Sequence, residues 1–200
     1  NQKLASLFTK FSQNLLADEN DKFLAISDSE LAKMPEDLKE SLKSAAKDKK
    51  LNVGILANTR SAIEPFLTFC PDRGLREKAW RMFVNRGDNG DQNDNNDIIP
   101  QILALRAERA KLFGYPTHAH WKLSNKMAKT PDKAMDLLLA VWKPAVARVK
   151  EEVADMQAIA NSEKLGIKIE PWDYRYYAEK VRKAKYDLDE SQIKPYLDLE

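Results

Sequence analysis

One stretch of the chain has a strong helical pattern, Ile98-Ile-Pro-Gln-Ile-Leu-Ala-Leu-Arg-Ala-Glu-Arg-Ala-Lys-Leu-Phe113. Its apolar side chains recur at the spacing of a helix and fall on related faces: Ile98, Ile102, Leu105 and Leu112. Asp97 precedes the stretch as a capping residue, and Gly114-Tyr-Pro116 follows it as a terminating signal. The stretch therefore predicts a helix over residues 98–113.

The composition of the whole chain favours the same kind of structure. Leucine, alanine and lysine, which all favour helices, supply 69 of the 200 residues. Valine, isoleucine and threonine supply only 22, so there is little material for a large sheet. Apolar residues make up 43%, which argues against disorder. We therefore expect a mainly α protein, a multi-helix scaffold with a hydrophobic core of its own.

Helical spacing and capping residues predict further helices on both sides of residues 98–113. Before this stretch, helices are expected at residues 3–17, 35–47, 61–69 and 74–86, and after it at 117–127, 130–164 and 171–186. Ser27-Asp-Ser-Glu30 has the pattern of a capping box. Residues 51–57 are the best candidate for a strand.

Interruptions of the helical pattern are predicted at three places. Asp18-Glu-Asn-Asp21 is expected to end the first helix as a polar loop. Residues 87–96, rich in Asn, Asp and Gly, are expected to form a solvated loop. Pro144 lies inside the longest predicted helix, where it removes a backbone hydrogen bond, so we expect a kink or a break near Lys143.

The charge balance and hydropathy exclude several classes of protein. The 33 basic and 31 acidic residues leave a net charge of +2, so the chain is not a strongly basic protein of the kind that binds nucleic acid or a membrane surface. The sequence contains no run of about 18 apolar residues, which excludes a membrane-spanning helix. We accordingly expect neither nucleic acid nor a membrane as a partner.

Metal sites of familiar types do not fit the sequence. An EF-hand loop starting at Asp91 would place Ile102 where a bidentate glutamate is needed. His118 and His120 are the only histidines, and their spacing directs them to different sides of a helix. A His-Glu-x-x-His motif is absent from the sequence. We therefore expect structural histidines and no metal bound by this chain.

Two further patterns have both a chemical and a structural interpretation. Cys70 is the only cysteine and lies between Phe69 and Pro71, so a packed thiol is favoured over a nucleophile. Aromatic and basic residues mingle over residues 172–183, a pattern that can stack on single-stranded nucleic acid. Acidic residues interleave there, however, and Tyr177 belongs to an apolar helical face, so a helix at the edge of a core is favoured.

Five blocks in series carry a resemblance to a known family. They are Gly74-Leu-Arg-Glu77, Ile102-Leu-Ala-Leu-Arg-Ala-Glu-Arg-Ala-Lys-Leu-Phe-Gly-Tyr115, Met127-Ala-Lys-Thr-Pro131, Trp172-Asp-Tyr-Arg-Tyr-Tyr177 and Tyr186-Asp-Leu-Asp-Glu-Ser-Gln-Ile-Lys-Pro-Tyr196. In order and spacing they resemble the thimet oligopeptidase and peptidyl-dipeptidase family of zinc metallopeptidases, over essentially all 200 residues. Residues 127–131 and 178–183 look most like the bacterial peptidyl-dipeptidase branch.

The resemblance implies a fold and an organisation. It implies a nearly all-helical, two-lobed peptidase with a channel that admits unfolded peptides. Residues 1–200 would then be a single helical region cut from a longer chain, with amino-terminal helices at 1–50 and scaffold helices of the peptidase lobe at 51–200. The family's zinc motif lies beyond the equivalent of Glu200, so we assign no catalytic and no metal-binding residue here.

The family blocks single out five residues for structural roles. The resemblance implies that Arg76, Arg106 and Asp173 form buried ion pairs or caps, with a contact to substrate as the alternative. Trp172 and Tyr177, from the block that contains Asp173, are structural candidates as well.

The function implied by the resemblance belongs to a longer protein. We expect a piece of a zinc metallopeptidase that releases dipeptides from the carboxyl ends of oligopeptides. This piece would supply scaffold and channel wall, would be inactive alone and would bind no zinc itself. The alternative is a free-standing helical interaction module without catalysis. A cytoplasmic location is expected, with the periplasm as the alternative.

Overall fold

Helices make up most of the described chain, which comprises residues 1–186 of a computed structural model. The elements are α1 (Gln2–Asp21), β1 (Phe23–Ile26), α2 (Asp28–Leu31), α3 (Glu36–Asp48), β2 (Gly54–Ala57), α4 (Arg60–Phe69), α5 (Arg73–Val84), α6 (Ile98–Leu112), α7 (His118–Leu123), α8 (Pro131–Ser162) and α9 (Tyr174–Tyr186). Within residues 1–186 the only sheet is the pair of four-residue strands. The prediction of a mainly α protein is confirmed.

The chain divides into two compact units. The first contains Asn1–Lys22 and Asn85–Arg148, and so holds α1, α6, α7 and the first part of α8. The second contains Phe23–Val84 and, from Val149 onward, the rest of α8 together with α9. The predicted division at residue 50 concerns the lobes of a longer protein and stays a prediction.

The second unit is built around the two strands. β1 and β2 pair antiparallel, with Phe23 opposite Ala57 and Ile26 opposite Gly54. Helices α3 and α4 pack on β2, and α5 packs on α4. The fully or almost fully buried side chains of this core include Ile26, Leu31, Leu42, Leu56, Ile63 and Phe66. A separate cluster joins the second part of α8 to α9 through Met156, Ala160 and Tyr177.

The short helix α2 starts at the predicted capping box. The backbone N–H of Glu30 donates to Oγ of Ser27 at 3.4 Å, and the backbone N–H of Ser27 donates to Oε2 of Glu30 at 2.8 Å. These two bonds satisfy amides that the first turn of a helix leaves free. The capping-box prediction is confirmed.

The first unit has a smaller core, between α1 and α6. Leu4 of α1 is buried against Ile98 and Ile102 of α6, with Phe11 and Leu105 packed at the edge. The stretch with the strong helical pattern is thus a helix over Ile98–Leu112. Its apolar side contacts α1, as the spacing of its isoleucines predicted.

Several predicted boundaries are wrong. Helix α1 continues through residues 18–21 instead of ending in a polar loop, because Asp18 is buried and its carboxylate has partners. Strand β2 is shorter than residues 51–57, and β1 was missed because Phe-Leu-Ala-Ile has no alternation to mark it. Helix α7 ends at Leu123, and α9 begins at Tyr174 because residues 171–173 form a turn.

Helix α8 runs through Pro144 without interruption. The predicted break near Lys143 is therefore wrong, while the kink that was its alternative stays a prediction. The proline still leaves one carbonyl of the preceding turn without its usual amide donor, because its nitrogen carries no hydrogen.

A helix that spans a lipid bilayer must be long and predominantly apolar. Within residues 1–186, none is both long enough and apolar enough to cross a membrane.

Candidate functional site

Four of the five residues singled out from the sequence meet in the second unit, around the carboxylate of Asp173. This side chain has no exposed surface. Its Oδ1 accepts a hydrogen bond from Nη2 of Arg76 at 2.9 Å, and its Oδ2 accepts one from Nη2 of Arg73 at 2.9 Å and one from Nε of Arg73 at 3.0 Å. The backbone N–H of Glu170 donates to Oδ2 at 3.2 Å. The carboxylate is therefore surrounded by donors.

The chain around Asp173 explains why the carboxylate lies there. The turn after Pro171 places Asp173 directly before α9, where the backbone N–H of Tyr177 donates to its carbonyl at 3.0 Å. A negative side chain at the start of a helix is favoured by the free amides and by the helix dipole. Proximity to the two arginines of α5 adds a second, stronger reason for the position.

Arg76 contacts the segment after α4, the turn that contains Asp173, and Tyr176 of α9. Its Nη1 donates to the carbonyl of Cys70 at 2.9 Å and to that of Pro71 at 3.0 Å, so it satisfies carbonyls that follow the end of α4. Its guanidinium lies 4.1 Å from the ring centroid of Tyr176, within the range of a cation–π contact. Only 1% of Arg76 is exposed. Losing one member of such a buried pair leaves the other charge without compensation and costs about 3–5 kcal/mol.

Arg73 closes the network on its more exposed side. Its hydrogen bond to Asp173 raises the pKa of the guanidinium above its ordinary value, so its positive charge is permanent. Its Nη2 also donates to the carbonyl of Lys168 at 3.3 Å. Two arginines of one helix thus bind the segment directly before that helix, at residues 70–71, and a segment about 100 residues further along the chain, at residues 168–173.

Trp172 and Tyr177 pack beside this network. The ring of Trp172 meets that of Trp80 edge-on, with centroids 5.8 Å apart, and Arg81 lies 5.2 Å from the ring of Trp172. The hydroxyl of Tyr177 donates to Oε2 of Glu163 at 3.1 Å. Burial, together with this hydrogen bond, raises the pKa of Tyr177 to about 12, so its phenol stays protonated.

The arrangement of this network indicates a structural role. Both oxygens of Asp173 are occupied and sealed from water, so the carboxylate has no free lone pair directed at solvent. The raised pKa of Tyr177 keeps its phenol from serving as a base near neutral pH. The arrangement fixes the start of α9 against α5, and it presents no acid, base or nucleophile to a substrate.

Arg106, the fifth candidate, belongs to the first unit. Its guanidinium lies 5.0 Å from the ring centroid of Phe8, and the salt bridges observed among residues 1–186 do not include it. Arg109, one turn further along α6, lies 4.5 Å from the ring of Trp121. In this structure Arg106 therefore holds α1 to α6 through an aromatic contact.

The histidines and the cysteine do not form a metal centre. Oγ1 of Thr117 and Nδ1 of His120 share a hydrogen bond of 2.8 Å, while His118 packs against the ring of Trp121. Burial and the neighbouring arginines lower the pKa of His118. Burial also raises the pKa of the Cys70 thiol to about 11, which disfavours the thiolate that a metal or a nucleophilic reaction needs. Residues 1–186 contain no cluster of three His, Cys, Asp or Glu side chains, so they do not fit zinc.

A second buried carboxylate, which sequence reasoning missed, lies in the first unit. Oδ2 of Asp18 accepts hydrogen bonds from the backbone N–H of Gly87 and from Nδ2 of Asn89, both at 2.8 Å. Lys22 pairs with Oδ1 at 2.8 Å. Asn95, also buried, bonds to Asn14 of α1 at 2.9 Å. Residues 87–96 form a loop with most of its residues exposed, as predicted, but Gly87 and Asn95 are buried and fold the loop onto α1, which the prediction missed.

A comparison with family models identifies the class of protein. The model described as Peptidase family M3 matches residues 66–200, which include the whole Arg73–Arg76–Asp173 network. The chain therefore belongs to peptidase family M3, and the family resemblance predicted from the five blocks is confirmed. The last of those blocks, at residues 186–196, lies outside the described residues except for Tyr186.

Particular relatives resemble the chain from end to end. Dipeptidyl carboxypeptidase of Escherichia coli strain K12 is 36% identical over 201 residues, which cover 100% of this chain and 30% of the relative. The dipeptidyl carboxypeptidase of Salmonella typhimurium is 35% identical, with the same coverage. Oligopeptidase A of E. coli is 33% identical over 97% of this chain and 29% of its own length. The chain thus spans about 30% of the length of these curated relatives.

Proposed function

We propose that these 200 residues are one part of a zinc peptidase that releases dipeptides from the carboxyl ends of oligopeptides. The observation that supports this most directly is the 36% identity to dipeptidyl carboxypeptidase over the whole chain. The reaction is taken from the name of that relative. Oligopeptides are accordingly proposed as partners of the longer protein.

Within that protein, the role we propose for this chain is scaffold and channel wall. Hydrolysis of a peptide bond needs a polarised carbonyl, an activated water and a base held together. Among residues 1–186, the buried charges of Arg76, Asp173 and Asp18 each have an ion-pair partner, and the single thiol is protonated at neutral pH. The zinc and the catalytic groups would come from the rest of the longer protein, and the chain alone would be inactive.

A free-standing interaction module is the second candidate function. It is favoured by one observation, the row of exposed apolar side chains in the first half of α8, which includes Leu138 and Trp142. Such a surface suits a binding partner as well as the remainder of an enzyme. The two candidates differ in whether catalysis appears when the missing part is supplied. The cytoplasmic location, with the periplasm as its alternative, stays a prediction.

A chimera distinguishes the two candidates. In E. coli dipeptidyl carboxypeptidase, the segment that matches this chain would be replaced by these 200 residues. We expect the chimera to release the carboxyl-terminal dipeptide from a short unstructured peptide, and a metal chelator to abolish the release. The unmodified E. coli enzyme serves as the positive control, and the same peptide with an amidated carboxyl end tests the requirement for a free carboxylate.

The outcome decides between the proposals. Chelator-sensitive release by the chimera supports the scaffold role, because the foreign segment then supports catalysis by groups it does not contain. A chimera that folds cooperatively but leaves the peptide intact would contradict that role and favour the interaction module.

A further inference from the structure

The first half of α8 carries an apolar face that the described part of the chain leaves open. Met135, Leu138, Leu139 and Trp142 recur at i, i+3, i+4 and i+7, which places them on one side of the helix. Their exposed fractions lie between 48% and 66%. An apolar face with this spacing is ordinarily buried against another element, because its contact with water is unfavourable.

The packing of the first unit does not cover this face. Among the described residues of that unit, α6 packs against α1 and against α7, and neither pairing involves α8. Pro144, two residues beyond Trp142, also deprives α8 of a backbone hydrogen bond. Helices in proteins gain most of their stability from the tertiary packing of an apolar face. We conclude that the face needs a partner outside residues 1–186.

The charges on α8 indicate what kind of partner fits. The face itself is uncharged, whereas Asp132, Asp136 and Lys143 share another side of the helix, at i, i+4 and i+11. A nucleic acid or the charged end of a peptide would find no counter-charge on the apolar face. The face therefore fits an apolar protein surface, with the charged side left in water.

We propose that this face docks on the part of a peptidase M3 chain that lies outside these 200 residues, through an apolar surface of that part. The chain covers 30% of dipeptidyl carboxypeptidase, so more than two thirds of that relative has no counterpart here. The family match also includes all of α8. The proposal rests on the proposed function, in which the missing part is the rest of the same enzyme. A second copy of this chain on the same face is the competing occupant.

Cysteine labelling tests the proposal on two positions of the same helix. Leu138→Cys places a thiol on the apolar face, and Asp136→Cys places one on the charged side; both side chains are exposed here. Each variant is made in the 200-residue chain and in the chimera with E. coli dipeptidyl carboxypeptidase. The parent proteins without the added cysteine give the background, to which the buried Cys70 contributes little because of its raised pKa.

We expect the thiol on the apolar face to be protected from labelling, and only in the chimera. In the chimera, a thiol at position 138 should react roughly tenfold or more slowly than in the chain alone, while a thiol at 136 reacts at a similar rate in both. If the Leu138→Cys chimera does not fold, Met135→Cys takes its place on the same face. Equal reactivity at 138 in chain and chimera would overturn the proposal. Protection at 138 that appears in the chain alone as its concentration rises would also overturn it, in favour of a second copy.

Failure of this proposal is distinguishable from failure of the proposed function. Peptide release by the chimera is measured on the protein without added cysteines. An active chimera with an unprotected residue 138 contradicts the docking surface alone. An inactive, folded chimera with a protected residue 138 contradicts the proposed function and leaves the docking surface supported.

Discussion

Each unit of the molecule contains a buried carboxylate, and the two are held in different ways. Asp173 in the second unit faces two guanidinium groups, of which that of Arg76 is itself buried. Asp18 in the first unit is held mainly by neutral donors, the backbone of Gly87 and the amide of Asn89, with a partly exposed lysine as its cation. One carboxylate lies between two arginines, and the other has a single lysine and the neutral donors of a loop as its partners.

The difference shows what each carboxylate does for the fold. The Asp173 network joins segments about 100 residues apart, so its loss should affect the whole second unit. The Asp18 site fixes the loop before α6 with two neutral donors and one lysine, whereas Asp173 has two guanidinium groups as partners. Hydrogen bonds from neutral donors to a carboxylate are weaker than those from charged ones. Breaking Asp173 should therefore cost more than breaking Asp18.

The largest effect is expected from Asp173→Ala. The substitution leaves the buried guanidinium of Arg76 without a counter-charge, and we expect the free energy of unfolding to fall by about 3–5 kcal/mol. Urea denaturation followed by circular dichroism measures this change. The control is Asp155→Ala, which removes only the exposed pair with Lys185. Equal losses for the two variants would show that burial does not govern these pairs.

A smaller loss is expected from Asp18→Asn, about 1.5–3 kcal/mol, because hydrogen bonds to a charged acceptor are lost while their donors remain buried. Urea denaturation at neutral pH measures it. Asp18 and Asn have nearly the same volume, so the change tests charge and hydrogen bonding without leaving a cavity. A loss as large as that of Asp173→Ala would contradict the proposed contrast between the two carboxylates.

The lowered pKa of Asp18 makes the stability of the protein depend on pH. Burial tends to raise its pKa, but the hydrogen bond from Gly87 and the pairing with Lys22 outweigh burial, so its pKa lies below the ordinary value of 3.8. Stability from this group is therefore complete above the unfolded value and is lost as the pH falls through the lower folded value. Below about pH 4, the parent chain should lose stability more steeply than Asp18→Asn. If the parent chain and Asp18→Asn lose stability in parallel as the pH falls, the titration of Asp18 does not account for the loss.

Gly87→Ala is expected to cost about 1–2 kcal/mol, since a non-glycine residue with a left-handed backbone is strained. Gly87 has φ of 71°, and a Cβ there would lie 2.6 Å from Nδ2 of Asn95 and 2.9 Å from a methyl carbon of Leu15. Gly90→Ala has a similar φ but open space around it, so it isolates the contact from the backbone strain. Thermal unfolding of the two variants should therefore differ, with Gly87→Ala the less stable. Equal melting temperatures would show that the contacts of the added Cβ with Asn95 and Leu15 do not destabilise the protein.

The smallest effect is expected from Asp155→Ala itself. Its partner Lys185 is about half exposed, and exposed pairs contribute about 0–1 kcal/mol because water and salt screen them. The same denaturation measurement at low and high salt should show a difference that nearly vanishes at high salt. A loss above about 2 kcal/mol would mean that this pair belongs to a larger network.

The two carboxylates also show which features the sequence could predict. Helix α6, the capping box at Ser27 and the class of fold follow from local spacing, which acts over a few residues. Asp173 was named because it lies in a block shared with a family, although its partners are about 100 residues away. The burial of Asp18 was not predicted. The sequence of an Asn- and Asp-rich loop is the same whether its amides bind water or a buried carboxylate. Long-range polar contacts leave no periodic signal.

We propose that this chain supports catalysis without performing it, and an assay of the purified 200-residue chain alone tests this proposal. It would be dialysed with zinc, and its retained metal and its release of carboxyl-terminal dipeptides from a short unstructured peptide would be measured. We predict no stoichiometric zinc and no release above that of the peptide in buffer. Chelator-sensitive release at a rate like that of the chimera, together with one zinc held per chain, would contradict the account.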